Sequence, residues 1–249
     1  TYDYDESPRY ESVRQRRARA EQTVTEKQAH GEDLAGVRPK HKAIATSVWG
    51  RAWCQYLSEL SDYASRLPRG RTYLRQGCVV DLKILRGKVI AQVQGERLYD
   101  IDITISIIDP DLWDHLKQRC RGGIESVIDL MQGKISNAVM ESLIDPESGI
   151  FPKSSEIKMF CSCPDDADMC KHVAAVLYGV AVRLDEQPLA LFELRGVDSS
   201  DLLKSTLDTA FSRAEPEGAG LSNQDLSALF NLELEEDDDD TDFSEFPET

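Results

Sequence analysis

The sequence lacks any long apolar run. Over its 249 residues no stretch approaches the roughly 20 consecutive apolar residues that a membrane-spanning helix needs. The first 20 residues carry arginines without an apolar segment behind them, so no signal peptide is expected. Signatures of catalysis are missing as well, because there is no glycine-rich phosphate loop, nucleophile elbow or metalloprotease helix motif. We therefore expect a cytoplasmic protein that is not an enzyme.

Cysteine is scarce, and its distribution does not suit a disulfide framework. Three of the six cysteines, Cys54, Cys78 and Cys120, lie singly in apolar or mixed stretches, whereas the other three fall within residues 161–170. A small secreted scaffold would spread its cysteines along the chain. The pattern favours a reducing compartment and leaves the clustered cysteines to be explained.

Positive charge is in short supply overall, with a formal net charge of −16, but the deficit is local. Residues 214–249 contain 13 acidic residues and no Lys or Arg, whereas residues 1–213 contain 32 acidic and 29 basic residues, a net charge of −3. A polyanionic partner would be repelled by the tail, but the nearly neutral body does not exclude one.

Composition and periodicity divide the chain into four parts. Residues 1–42 predict a flexible basic arm with at most a transient helix, and residues 43–145 predict a helix, an antiparallel sheet and further helices. Residues 146–213 hold the cysteine cluster and predict C-terminal helices, and residues 214–249 predict an acidic, largely disordered tail with a short amphipathic segment. The fold class is α+β, with strands first and most helices later.

Three segments of strict alternation predict an antiparallel β-meander with one apolar face. An amphipathic helix is predicted over residues 47–67, ending at Leu67-Pro68, and is expected to cover that face. The residues expected on the apolar face are Val80, Leu82, Ile84, Val89, Ala91, Val93, Ile101, Ile103, Ile105 and Ile107.

The cluster "FCSCPDDADMCKH" has the donors of a zinc site. Cys161-x-Cys163 is followed after six residues by Cys170-x-His172, and three thiolates with one imidazole are a donor set that tetrahedral Zn²⁺ prefers. Cys170 and His172 are expected at the first turn of the following helix, where the helix dipole favours thiolate over thiol. Four protein ligands leave no position for a reacting water, so one structural zinc ion is predicted.

Three other interpretations of the cluster fit the sequence less well. The four residues could be unrelated small core side chains and a hydrogen-bonded histidine, but their spacing allows all four side chains to reach a single ion. A disulfide between Cys161 and Cys163 would be strained by its tight ring. An iron–sulfur cluster or a redox pair would ordinarily have a two-residue spacer between cysteines.

The segment "CSCPDDADMCKHVAAVLYGVA" resembles the SWIM zinc finger at all four ligands and in the apolar helix behind them. Three further segments, "WGRAW", "RGRTYLRQGCVVDLKILRGKVIAQVQGERLYDIDITI" and "LFELRG", are similar to prokaryotic SWIM zinc finger proteins that often accompany SNF2-type helicase-like ATPases. The resemblance covers about residues 45–196, plus "LSALFNLEL". It implies a bacterial zinc-binding accessory protein that binds DNA, proteins or both. Glu96 and the acidic tail depart from the more basic pattern of such proteins.

The densest basic patch in the predicted ordered part surrounds a Pro-Gly turn. Arginines can bind phosphates through two hydrogen bonds and an exposed tyrosine can stack on a base, so the patch suits a nucleic-acid strand. The alternative is a solvated loop whose arginines pair with nearby carboxylates. The candidate nucleic-acid-binding residues are Arg66, Arg69, Arg71, Tyr73, Arg75, Arg97 and Lys171.

The acidic tail contains a candidate protein-binding segment. "LSNQDLSALFNLEL" could form a short amphipathic helix that inserts into a partner's groove or docks on the protein's own body. Its apolar residues are Leu226, Leu229, Phe230 and Leu232. The leading hypothesis is an adaptor of a SNF2-type helicase-like ATPase that contacts DNA; the alternative is a protein–protein scaffold without nucleic-acid contact. Neither a membrane nor a small-molecule substrate is expected as a partner.

Overall fold

A computed structural model describes residues 12–60, 65–124 and 126–203 of the chain. These residues form a mixed helix-and-sheet structure, as the sequence predicts, built on one four-stranded antiparallel sheet of order β1-β2-β3-β4. The strands are β1 (Val79–Leu85), β2 (Lys88–Gln94), β3 (Leu98–Ile105) and β4 (Ile157–Cys161). The helices are α1 (Val13–Ala29), α2 (Val48–Glu59), α3 (Leu67–Arg75), α4 (Pro110–Arg119), α5 (Val127–Gln132), α6 (Asn137–Ile144), α7 (Lys171–Glu186) and α8 (Ala190–Leu194). None of the helices in these ranges has the length and apolar character needed to span a bilayer.

Strands β1 to β3 form the meander that the alternating pattern predicts. Val89 pairs with Ile103 and Ala91 with Ile101, so the apolar residues of neighbouring strands line the same face. Two details differ. A register irregularity between Val79 and Asp81 brings Val79 opposite Val93, and Ile107, predicted on the inward face, is 54% exposed because β3 ends two residues earlier.

The fourth strand, β4, is not among the three strands that the sequence predicts. It pairs antiparallel with β3, with Ile157 opposite Ile105 and Cys161 opposite Ile101. Five residues with partly exposed side chains carry too weak a periodicity to identify a strand on their own. The pairing matters for the site, because it fixes Cys161 at the inward face of the sheet.

Helix α7 is the centre of the core. Twelve of its 16 residues are buried, so it is apolar almost all round, and it packs against the sheet on one side and against α2 and α3. The sequence predicts that the helix of residues 47–67 covers the sheet; instead α7 is the main cover, and α2 packs on α7. The Trp53 indole Nε1 donates to the Leu177 carbonyl at 2.9 Å and joins the two helices.

The helix predicted over residues 47–67 is shorter than expected, and Leu67-Pro68 begins a helix rather than ending one. Ser47 caps α2 by accepting a hydrogen bond from the Gly50 amide, but α2 ends at Glu59. Proline is tolerated in the first turn of α3, because the amides there have no partner within the helix. The basic patch of Arg66, Arg69, Arg71 and Arg75 therefore lies on a helix and not on a loop.

The segment predicted as a flexible arm contains helix α1, which Ser12 begins through a capping box with Gln15. Thr23 donates to the Gln94 side chain at 2.8 Å, and Ala20 is buried against the sheet. The helix is polar over most of its surface, which explains why apolar periodicity did not reveal it.

Candidate metal centre

The four predicted ligands come together where β4 approaches α7. Cys161 ends β4, Cys163 follows two residues later, Cys170 is the N-cap of α7, and His172 lies in its first turn. Their ligand atoms all lie within 4.8 Å of one another. The His172 Nδ1 atom is 3.8 Å from the Cys161 sulfur and 3.7 Å from the Cys170 sulfur.

These distances fit a tetrahedral zinc ion. Bonds of about 2.3 Å to sulfur and 2.0 Å to nitrogen imply sulfur–nitrogen separations of about 3.5 Å between neighbouring ligands. Cys170 and His172 are buried and Cys161 and Cys163 are partly buried, so a bound ion would be largely shielded from water. Four donors complete a tetrahedron, and the arrangement is that of a structural site.

The electrostatics of the cluster favour a thiolate at Cys170. A hydrogen bond with the Cys161 thiol lowers the pKa of Cys170, and the same contact together with burial raises the pKa of Cys161. The Val173 amide also points at the Cys170 sulfur from 3.5 Å, as an N-cap donor does. The thiolate is the form that binds metal, so Cys170 is prepared for coordination by its place at the helix N-terminus.

The ring of His172 is held by residues that the sequence analysis did not connect with the site. Tyr99 lies against it with ring centroids 4.7 Å apart, and Tyr73 meets it edge-on at 5.3 Å. A Cβ atom on Gly95 would lie 2.8 Å from the His172 Nε2 atom, so only glycine fits at this turn. Among the described residues Nε2 has no hydrogen-bond partner, so packing positions this side of the ring.

Tyr73 differs from its predicted role. It was expected to be an exposed aromatic that stacks on a base, but it is 92% buried. The Arg16 guanidinium lies over the face of its ring, 4.6 Å from the ring centroid. The Lys171 ammonium approaches the same ring at 5.6 Å. The burial follows from the helical conformation of α3, which turns Tyr73 toward α7. Tyr73 thus belongs to the packing around His172.

Helix α1 reaches the site from the outer side. The Arg19 guanidinium donates to the carbonyl oxygens of Gly95 at 3.1 Å and Glu96 at 3.0 Å, so it holds the turn that packs on His172. Because these residues are 76 and 77 positions apart in sequence, no local pattern could indicate the contact.

The candidate arginines lie mainly on the exposed side of α3. The helix packs closely on α7, and a Cβ on Gly70 would lie 2.5 Å from the Ala174 Cβ. Arg69 is exposed; Arg71 lies 5.6 Å from the Tyr178 ring, and Arg75 donates to the Lys42 carbonyl at 3.1 Å.

Two further candidate residues lie beside the metal centre. Arg66 donates to Asp165 of the ligand loop, residues 162–169, at 3.1 Å. For this arginine the structure shows a carboxylate partner, which was the alternative to phosphate binding for the basic patch as a whole. Arg97 is exposed on the turn between β2 and β3. The predicted partner-binding residues Leu226, Leu229, Phe230 and Leu232 lie outside the described residues.

Three thiols and one imidazole that close on a single point between a strand and a helix define the zinc-finger class of site. Residues 144–178 match the SWIM zinc finger family, and this span contains all four ligands. The chain therefore carries a SWIM zinc finger, as its resemblance implied.

The chain is similar over most of its length to a protein of unknown function. The uncharacterized protein Rv2102 of Mycobacterium tuberculosis is 32% identical over 182 residues, which are 72% of this chain and 65% of that protein. No solved structure matches the chain.

Proposed function

We propose that the protein is a non-enzymatic adaptor in which one zinc ion, bound by Cys161, Cys163, Cys170 and His172, holds β4 to the start of α7. The observation that carries the proposal is the closed set of four donors within 4.8 Å. The ligand loop between them has few apolar side chains, so metal coordination supplies the stability that a core would give elsewhere. Elemental analysis is expected to find one equivalent of zinc per chain.

The zinc centre also supports a surface for nucleic acid. The ion orders the first turn of α7, and α3 packs against α7. The side chains of Arg69, Arg71 and Arg75 on α3 are exposed. Guanidinium groups spaced along an exposed helix suit the phosphates of a DNA strand. With Arg97 on the neighbouring turn, we expect about four phosphate contacts and a log–log salt slope of roughly −3 to −4.

The protein partner in this proposal is a SNF2-type helicase-like ATPase. Its support is the resemblance of the segments around residues 45–196 to SWIM proteins that accompany such ATPases, together with a site that has no position for a reacting molecule. An accessory subunit of this kind would hold DNA or the ATPase in place and leave the chemistry to its partner.

Binding of fluorescein-labelled DNA to the zinc-loaded protein of residues 1–249 tests the nucleic-acid contact. The double variant Arg69→Gln and Arg71→Gln should weaken binding at low salt by about tenfold and flatten the salt slope by between one and two. The matched control is Arg51→Gln with Arg121→Gln, which removes the same charge from exposed positions elsewhere. Equal losses in both pairs would mean that net charge, and not α3, attracts the DNA.

The second candidate function is a protein–protein scaffold that does not touch nucleic acid. It is favoured by the pairing of Arg66 with Asp165 and by the carboxylates of Asp166 and Asp168 in the same loop, which place negative charge beside the zinc centre. If the protein shows no retention on heparin or DNA at low ionic strength, the scaffold function replaces the nucleic-acid contact.

A further inference from the structure

A groove separate from the zinc centre lies between the C-terminal end of α2, helix α6 and the segment that follows α6. Its volume is about 440 Å³, which is within the range of sites that bind a ligand or one or two large side chains. The floor is apolar and formed by Tyr56, Leu60, Ile144 and Phe151.

The floor of the groove is part of the protein core, which makes it a rigid surface. Phe151 is buried and contacts Trp53 edge-on, with ring centroids 5.6 Å apart, and Tyr56 at 5.4 Å. The Tyr56 ring also contacts the Trp53 ring, with centroids 5.3 Å apart. A partner would therefore meet a surface that is already ordered, and binding would cost little rearrangement of the protein.

The rim of the groove is acidic. Glu59, Glu141, Asp145 and Glu147 surround the apolar floor, and among the described residues that line the groove Lys153 is the one basic residue. Lys153 is already paired with Glu147 at 3.0 Å. Asp145 accepts hydrogen bonds from the Ser148 amide and hydroxyl, which lower the pKa of its carboxyl group and keep it charged.

Two of the rim carboxylates are available to a partner. Glu59 and Glu141 are exposed, and neither has a cationic partner in the part of the chain that the structure describes. An apolar floor with uncompensated negative charge around it complements a segment that carries large apolar side chains flanked by lysine or arginine.

The same charge argues against occupation by residues 1–11 or residues 214–249. Residues 1–11 contain four acidic residues and one arginine, and residues 214–249 contain acidic residues without any basic one. Both would be repelled by the rim. The charge of the rim instead favours a segment that carries Lys or Arg.

We propose that this groove binds a basic amphipathic segment of a partner protein, with one or two large apolar side chains on the floor and Lys or Arg beside Glu59 and Glu141. Such a segment would present its anchors at helical spacing. The inference deepens the protein-binding part of the proposed function and does not depend on the contact with nucleic acid.

The test uses a displayed library of random 12-residue peptides, selected against the zinc-loaded protein of residues 1–249. Selected peptides should carry a large apolar residue flanked by Lys or Arg. Ala52→Trp, which fills the groove, should weaken the labelled selected peptide at least tenfold in fluorescence anisotropy. Glu59→Gln with Glu141→Gln, which alters exposed residues only, should weaken it about three- to tenfold at low salt.

The control pair is Asp114→Asn with Glu193→Gln, which changes net charge equally at exposed positions outside the groove and should alter affinity less than twofold. An equal loss in this pair, a selection of acidic peptides, or a selection without any binder would overturn the proposal. A wild-type dimer that Ala52→Trp dissociates in analytical ultracentrifugation would assign the groove to a second copy instead. The groove variants should bind zinc and DNA as the wild type does, so a failure here is distinct from a failure of the adaptor proposal.

Discussion

Replacing Gly95 with alanine tests how the ring of His172 is positioned. The backbone of Gly95 is not in the left-handed region, so alanine is allowed there by its own conformation. The obstacle is the site itself, because the added Cβ would lie 2.8 Å from His172 Nε2 and 2.8 Å from Tyr99 Cε2. Ordinary contacts of a Cβ atom are 3.4–4 Å, so the ring or the turn must move by more than half an ångström.

Two opposing terms set the size of the effect on stability. Overpacking of this kind lowers the free energy of unfolding by about 1–3 kcal/mol. Replacing glycine with alanine raises it by about 0.4–1 kcal/mol, because alanine reduces the conformational entropy of the unfolded chain. We expect a net loss of about 1–2 kcal/mol in the free energy of unfolding. Displacing a metal-binding histidine through its surroundings typically weakens metal affinity by about 10- to 100-fold.

Zinc affinity is measured by competition with a chromophoric chelator, and stability by urea unfolding. The control is Gly179→Ala on α7, whose Cβ would lie 2.7 Å from Leu82 Cδ1 in the core and would not touch the zinc centre. We expect the control to change stability without changing zinc affinity. A folded Gly95→Ala protein that keeps zinc affinity within about twofold of the wild type would refute the argument that packing at Gly95 positions the His172 ring.

Three further predictions concern the same framework. Cys163→Ser should release zinc and make the start of α7 sensitive to protease; a variant that retains a full equivalent of zinc, measured by elemental analysis, would contradict the ligand assignment. Trp53→Phe should lower the free energy of unfolding by about 1–3 kcal/mol, because it removes the buried bond to the Leu177 carbonyl and leaves a gap; urea unfolding checks this. Arg66→Gln should cost at most about 1 kcal/mol in the same assay, since its pair with Asp165 is partly exposed, and a larger loss would mean that the pair holds the ligand loop.

The arginine patch illustrates why part of the site could be located but not described from sequence. The residues were identified by composition, yet the Pro-Gly motif was interpreted as a turn. In α3 the proline lies in the first turn of the helix, and the glycine is required because the helix packs closely on α7. Proline and glycine close together are also typical of a loop, so the sequence alone does not distinguish the two structures. That ambiguity changed the role of Tyr73, because a residue of a solvated loop would be exposed, whereas the same residue on the inner face of α3 is buried.

The sequence by itself determined the α+β class, the three strands of the meander and the four candidate zinc ligands. Strand alternation and the ligand spacing are both local properties, and the ligands all fall within residues 161–172, so chain connectivity alone brings them close. Only the tertiary structure decided that Tyr73, Tyr99 and Gly95 surround His172, that Arg19 of α1 holds the turn above it, and that α2 and α6 form an acid-rimmed groove. These contacts join segments distant in the chain, and they depend on how α7 packs against the sheet and its neighbouring helices, which no local pattern records.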